Sequence, residues 1–183
     1  MKNWKTIEIP KLIKNNCKTD KRGLIVPFVV LEDNSGEFHF KVNDSLKQIK
    51  AIKEDLCSIC GTKLNDDKWL IGGPASAFHN HGCYIDSPGH LECMKYALQV
   101  CPYLAYSGYN SKTNIEELTK KIDADLLLDD PTVDNNRVPL FVLSKIESFE
   151  YKNGYIYPKK PYLDVQFWNN GEQLDDYQAI KII

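Results

Sequence analysis

The chain has 183 residues, 43% of them hydrophobic and 26% charged, which is enough to bury a sizeable core in a single domain. Its formal net charge of −2 excludes a global attraction for polyanions, and no apolar stretch reaches the length of a membrane span. Met1-Lys2-Asn3-Trp4-Lys5 leads into no signal-like apolar run, and a chain of this size does not need disulfide staples. The six cysteines are therefore expected as thiols or metal ligands in a reducing, cytoplasmic compartment of a bacterial host or cell.

Residues 1–22 carry seven Lys/Arg against two acids and are expected as a basic N-terminal strand and arm. Within them, Trp4 to Ile9 alternates like a strand and Lys11 to Arg22 reads as loop. Residues 23–183 are expected to form one α+β domain. Gly23 to Leu31 is the strongest strand signal, with Pro27 placing it at an edge or a bulge. Asp33-Asn34-Ser35-Gly36 reads as a hairpin turn, and Glu37 to Val42 as the return strand with Phe38 and Phe40 inward and His39 in solvent. Asn43 or Asp44 can cap a helix over residues 45–55, with Leu46, Ile49, Ile52 and Leu56 as its apolar stripe. Trp69-Leu70-Ile71 is a short strand closed by Gly72-Gly73-Pro74, and residues 75–86 show no period.

Ser87 as N-cap and Pro88 at the first helical position predict a helix with Leu91, Met94, Leu98 and Cys101 as its seam, ended by Pro102. Pro102 to Asn110 reads as loop. A capping box from Thr113 to Glu116 predicts a further helix lined by Ile115, Leu118, Ile122 and Leu126, followed by an acidic linker over residues 129–136. Val138 to Lys145 and Tyr162 to Trp168 read as strands, with a hairpin around Asn153-Gly154 between them. Leu174 to Ile183 closes the chain as a helix or an extended tail.

Cys57-x2-Cys60-Gly61 and His90-x2-Cys93 carry the chemistry. Zinc takes four soft or borderline ligands at tetrahedral corners, and a CxxC-Gly turn supplies two of them from one bend. His90 and Cys93 lie three apart at the start of a helix, so they project from one turn, and the positive helix end favours a thiolate. Structural Zn2+ held by Cys57, Cys60, His90 and Cys93 is the expected centre. His81 and Cys83 compete with His90 for the fourth position. Cys101 lies eight residues past Cys93, roughly 12 Å along a helix, too far to share the ion, and reads as a core thiol. Cys17 reads as incidental. The knuckle, the strand and turn after it, and the helix with two ligands resemble a treble-clef zinc finger, so antiparallel strands around such a centre are the expected architecture.

A second likeness covers more of the chain. Arg22-Gly23, Pro27-Phe28, Phe38 with Phe40, Asp44, Cys57-x2-Cys60-Gly61-x2-Leu64, Gly73-Pro74, Ser87-Pro88-x-His90-x2-Cys93 and Val100-Cys101-Pro102-Tyr103-Leu104 resemble a family of small phage and actinobacterial proteins. That family has no assigned reaction. It is marked by a CxxCG knuckle, a Gly-Pro-Met turn, a Pro-x-His-x2-Cys helix start and a Cys-Pro-Phe-Leu helix end. The likeness is close over residues 22–104 and looser beyond. It implies a phage or mobile-element context and favours His90 over His81 or Cys83. Two departures stand out: Ala75 to His81 replaces the family's Met and Asn-Arg, and Gly171-Glu172 replaces its Gly-Arg.

Two classes of function follow. The first is a non-enzymatic accessory protein whose zinc fixes a surface for a host protein or a nucleic acid. Lys11, Lys14, Lys18, Lys21 and Arg22, with Lys47, Lys50 and Lys53 on the early helix, would meet phosphates in the second case. The second class is a metal- or histidine-dependent hydrolase or nuclease working at residues 72–86. There Ser76, His79, His81, Cys83 and Asp86 offer hydroxyl, base, nucleophile and carboxylate, and tandem glycines allow close approach of a ligand. The adjacent His79-Asn80-His81 does not reproduce the HNH nuclease pattern, whose three residues are dispersed over a hairpin and a helix.

Overall fold

Helices and short antiparallel strands alternate along the chain in the computed structural model, which describes residues 4–106 and 138–182. The helix expected after Thr113 and the acidic linker lie outside the described residues. The main sheet has four strands in the order β10-β9-β6-β5, all antiparallel: β5 (Trp69–Gly72), β6 (Phe141–Lys145), β9 (Asp164–Asn169) and β10 (Glu172–Leu174). Three two-stranded ribbons surround it. They pair β1 (Lys18–Thr19) with β2 (Ile25–Val26), β3 (Val30–Glu32) with β4 (Phe38–Asn43), and β7 (Phe149–Lys152) with β8 (Tyr155–Pro158).

Both faces of the main sheet are covered, which explains why β6 is an almost unbroken apolar run rather than an alternating one. On one face Trp69, Phe141, Leu143 and Trp168 pack with Met94, Tyr96 and Leu98 of the helix α4 (Leu91–Val100) and with the cysteine turn. On the other, Leu70 and Ile146 pack with Tyr84 and Ile156. Neighbouring residues Trp69 and Leu70 thus serve opposite cores, as the two-residue period of a strand requires. The hairpins turn on Asn153-Gly154 and Asn170-Gly171, all four residues with positive φ, the geometry that lets the turn follow strand twist.

The N-terminal region departs from expectation. Trp4–Thr6 forms a 3-10 turn rather than a strand, and Lys11–Asn16, expected as loop, is the helix α1. Its Ile13 is fully buried in the main core and Leu12 beside it packs against the same core, so two apolar residues among lysines anchor the segment. Pro27 divides the expected 23–31 strand into β2 and β3, which belong to different ribbons. His39 is not solvated alone; its Nε2 lies 2.9 Å from Asp33 Oδ2. Hydrogen bonds from Ser35 and His39 hold the Asp33 carboxyl well below the usual carboxylate range. Phe40, expected inward, is exposed beneath the Arg22 guanidinium.

Helix α2 (Ser45–Lys53) has the expected Asp44 cap, whose carboxylate accepts from the Leu46 and Lys47 amides. Its face is rotated from the expected stripe: Leu46 is 77% exposed, while Gln48 and Ala51 point inward. Gln48 donates its side-chain amide to the Ile85 carbonyl, and Lys47 donates to the Val30 carbonyl, so polar contacts on two sides set the rotation. Two short helices fall where loop was expected, α3 (Pro74–Phe78) and α5 (Pro102–Ala105), each opened by proline. The chain closes with α6 (Asp176–Ile180) behind an Asp175–Gln178 capping box.

Truncating the Ile13 side chain separates an anchored helix from a loose arm. Ile13→Ala should lower unfolding stability by about 2–4 kcal/mol in urea titration, whereas an unattached segment would stay within about 0.5 kcal/mol.

Candidate metal centre

The turn that follows α2 is built almost entirely by its own backbone. Leu56 bridges Lys63, the Cys57 amide donates to the Thr62 carbonyl at 2.8 Å, and the Gly61 amide donates to the Cys57 carbonyl at 2.9 Å. Gly61 has φ +69 and lies so close to Phe28 that a Cβ would stand 2.9 Å from the ring. Inside this bend the Cys60 amide points at Cys57 Sγ, 3.5 Å away, so the turn offers an N–H to a thiolate as well as two sulfurs.

The second pair of donors comes from the approach to α4. That helix begins at Leu91, three residues later than Ser87 and Pro88 suggested, with His90 as the residue before its first turn. Gly89 and Trp69 exchange two backbone hydrogen bonds of 2.9 Å each, which keep the chain extended up to His90. The cap comes from a distance: Asp67 accepts from the Leu91 amide with one carboxylate oxygen and from the Trp69 indole with the other. The Ser58 amide then donates to the Pro88 carbonyl and ties the cysteine turn to this segment.

Together these contacts bring Cys57, Cys60, His90 and Cys93 into one buried group whose ligand atoms lie within 4.8 Å of one another. His90 Nδ1 stands 3.4 Å from Cys60 Sγ, close to the roughly 3.6 Å edge that typical metal–sulfur and metal–nitrogen bonds give in a tetrahedron. Its other nitrogen, Nε2, lies 2.9 Å from the Lys63 carbonyl. A carbonyl can only accept, so the proton sits on Nε2 and the lone pair of Nδ1 faces the sulfurs. Orientation of a ligand histidine by its outer nitrogen is the usual supporting contact at metal sites. Thr62 Oγ1, 3.1 Å from Cys60 Sγ, adds a polar neighbour to one thiolate.

Electrostatics point the same way. Hydrogen bonds from Cys60 and Cys93 hold the Cys57 thiol well below its ordinary range, and the same contacts, with burial, drive Cys93 far above it. Three thiolates can coexist there only beside a cation, and a set of three sulfurs and one imidazole fits a borderline or soft divalent metal.

The other candidate residues are placed elsewhere. His79 and His81 are exposed with ring centroids 5.8 Å apart; the His81 amide donates to His79 Nδ1, and Lys160 donates to the His79 carbonyl. Cys83 is half-buried, and neither it nor His81 belongs to the four-residue group. Ser76 is half-buried on α3, while Asp86 is exposed and accepts from the Asn43 amide. The tandem glycines do not open a ligand cradle. A Cβ on Gly72 would stand 2.6 Å from the Tyr84 ring and one on Gly73 3.1 Å from Val138. The segment is braced by Tyr162, whose hydroxyl donates to the Ala77 carbonyl and contacts the Tyr84 hydroxyl.

Several of the basic residues are engaged internally: Arg22 with Asp20 at 2.7 Å, Lys18 with Glu32 at 3.9 Å, and Lys47 with the Val30 carbonyl. Lys11, Lys14, Lys21, Lys50 and Lys53 are exposed. Cys101 lies at the junction of α4 and α5, outside the group. Cys17 is nearer the centre than its sequence position suggests, with Sγ 3.3 Å from the Ile59 carbonyl.

Sequence reasoning passed over Gly89, Asp67 and the Lys63 carbonyl, which position His90. Only Gly89 carries a readable signal, a glycine directly before a ligand. A Cβ there would stand 2.6 Å from Met94 Cε and 3.3 Å from Cys57 Sγ. No protein-family model, curated protein or solved structure matches the chain.

Replacing Gly89 by Ala should weaken metal retention against a competing chelator, because Cys57 must give by a few tenths of an ångström. His81→Ala should leave both metal content and melting temperature unchanged, the latter within about 1–2 °C.

Proposed function

We propose that Cys57, Cys60, His90 and Cys93 hold one structural Zn2+ in a non-enzymatic binding protein, with a treble-clef-like arrangement of knuckle and helix. The observation that carries this reading is the donor set: three sulfurs and one oriented imidazole, all buried, converging from two elements. Four such protein ligands complete a tetrahedron and leave no position for water or substrate, the mark of structural rather than catalytic zinc. In one respect the arrangement differs from a treble clef. The strand between knuckle and helix, β5, pairs with β6 from the far end of the chain rather than with a hairpin partner of its own.

A protein is the favoured partner. Arg22, Lys18 and Lys47 each meet an oxygen of the chain itself, and the contacts around residues 72–86 bind that segment to the rest of the fold. Zinc in such a protein contributes folding free energy and fixes the shape of the turns beside it.

Elemental analysis of protein purified without added metal should find about one zinc per chain. Cys60→Ser and His90→Ala should each lose it, and chelation should lower the melting temperature by at least about 10 °C. Metal-free protein with an unchanged melting temperature would refute the reading. Binding of a labelled DNA or RNA duplex that weakens steeply with salt, and is lost in Lys50→Glu/Lys53→Glu, would replace the protein partner by a nucleic acid.

A further inference from the structure

We propose that Cys17 is an oxidation site of the metal centre: a hydroperoxide links Cys17 to Cys60 as a disulfide, removes Cys60 from the ligand set and releases the metal. The inference rests on the metal reading above.

Cys17 ends α1, and its position is fixed on both sides. Ile13, one turn earlier, is fully buried in the main core, and Lys18, the next residue, pairs with Val26. Its Sγ donates to the Ile59 carbonyl at 3.3 Å. That carbonyl belongs to the peptide unit whose nitrogen is that of Cys60, and in a trans peptide the oxygen lies about 2.8 Å from the next Cα. Cys17 sulfur therefore sits one peptide unit from Cys60. It packs against the same apolar cluster that contains all three ligand cysteines.

Accessibility selects the pair. Cys57 and Cys93 are fully buried, Cys60 is 4% exposed and Cys17 is half-buried. The half-buried Cys17 thus gives the Cys60 side of the centre a neighbour nearer to solvent than the three buried sulfurs themselves. The Cys17 thiol donates to the Ile59 carbonyl and so carries its proton, whereas a cysteine that binds metal does so as a thiolate. Cys60 is then the attacking sulfur and Cys17 the resolving one.

The step balances with one equivalent of hydroperoxide. Cys60 thiolate attacks the peroxide, the O–O bond breaks, and Cys60 becomes a sulfenic acid while an alkoxide or hydroxide leaves. That base takes the Cys17 proton. Cys17 sulfur attacks the sulfenic sulfur, the S–S bond forms, the S–O bond breaks and hydroxide departs. Two electrons pass from the two sulfurs to the peroxide. Cys57, His90 and Cys93 remain, one ligand short of a closed site.

The experiment treats the purified full-length protein with hydrogen peroxide, follows metal release with a chromophoric chelator, and maps disulfides by non-reducing peptide mass spectrometry. The expected result is metal release together with a Cys17–Cys60 linkage. Cys17→Ser, which keeps a donor for the Ile59 carbonyl, should retain metal before oxidation and release it about tenfold more slowly. Cys101→Ser should behave like the parent. A linkage confined to Cys57, Cys60 and Cys93, with Cys17 still open to alkylation, would overturn the inference, as would release from Cys17→Ser at the parent rate. Protein that holds no metal would instead sink the metal reading, and mapping of that metal-free chain would still decide the Cys17–Cys60 pairing.

Discussion

Three sulfur acids buried at one point set the terms for the rest of this structure. In water each thiol ionises independently; here hydrogen bonds among Cys57, Cys60 and Cys93 lower the Cys57 thiol and raise that of Cys93. A cation would relieve that conflict, and the backbone around the group fixes the positions from which four donors would meet it. The cysteine turn satisfies its own amides, reaches Phe28 and Val29 on one side and Pro88 on the other, and hands the Lys63 carbonyl to His90. Each of these bonds removes a freedom that a ligand would otherwise lose on binding metal.

Strand β5 carries that order into the sheet. Its first residue, Trp69, bridges Gly89 beside the centre, and all four of its residues pair with β6. The same strand divides the apolar interior, with Trp69 toward the cysteine turn and α4, and Leu70 toward Tyr84 and Ile156. Residues 72–86 are held from this second side. Tyr84 forms a bridge with Ile156 and fills the space left by Gly72, and Tyr162 reaches the end of α3. A segment that looks like a flexible loop in sequence is thereby clasped between the sheet and the β7–β8 hairpin.

What was legible in the sequence follows from how local each determinant is. The four-residue group was legible because its spacing is covalent: two cysteines in one bend, and a histidine and a cysteine one helical turn apart. Asn170-Gly171 reads only as the end of a last strand, without its partner β10, whereas the Asn153-Gly154 hairpin was legible because both residues readily take positive φ. The start of α4 was not, since its cap is Asp67, some two dozen residues upstream, and the extended run before it depends on Trp69. The face of α2 was misjudged for the same reason: Gln48 outweighs Leu46 because the Ile85 carbonyl waits for an amide. In α1 the buried Ile13 and its half-buried neighbour Leu12 decide the matter, and two adjacent apolar residues among lysines show no periodicity.

The case for chemistry at residues 72–86 was founded on glycines and histidines, and the two now have separate explanations. Close approach at Gly72 belongs to Tyr84, and at Gly82 to the α3 backbone, where a Cβ would stand 2.2 Å from the Ser76 carbonyl. A glycine required by the protein's own packing carries no information about a ligand. His79 and His81, freed from that association, are exposed side chains on a braced turn. The donors that converge lie at the cysteines and His90 instead, among residues whose burial suits them to hold an ion in place. In this fold the chemistry that the sequence most clearly encodes is therefore the convergence of Cys57, Cys60, His90 and Cys93 on one buried point.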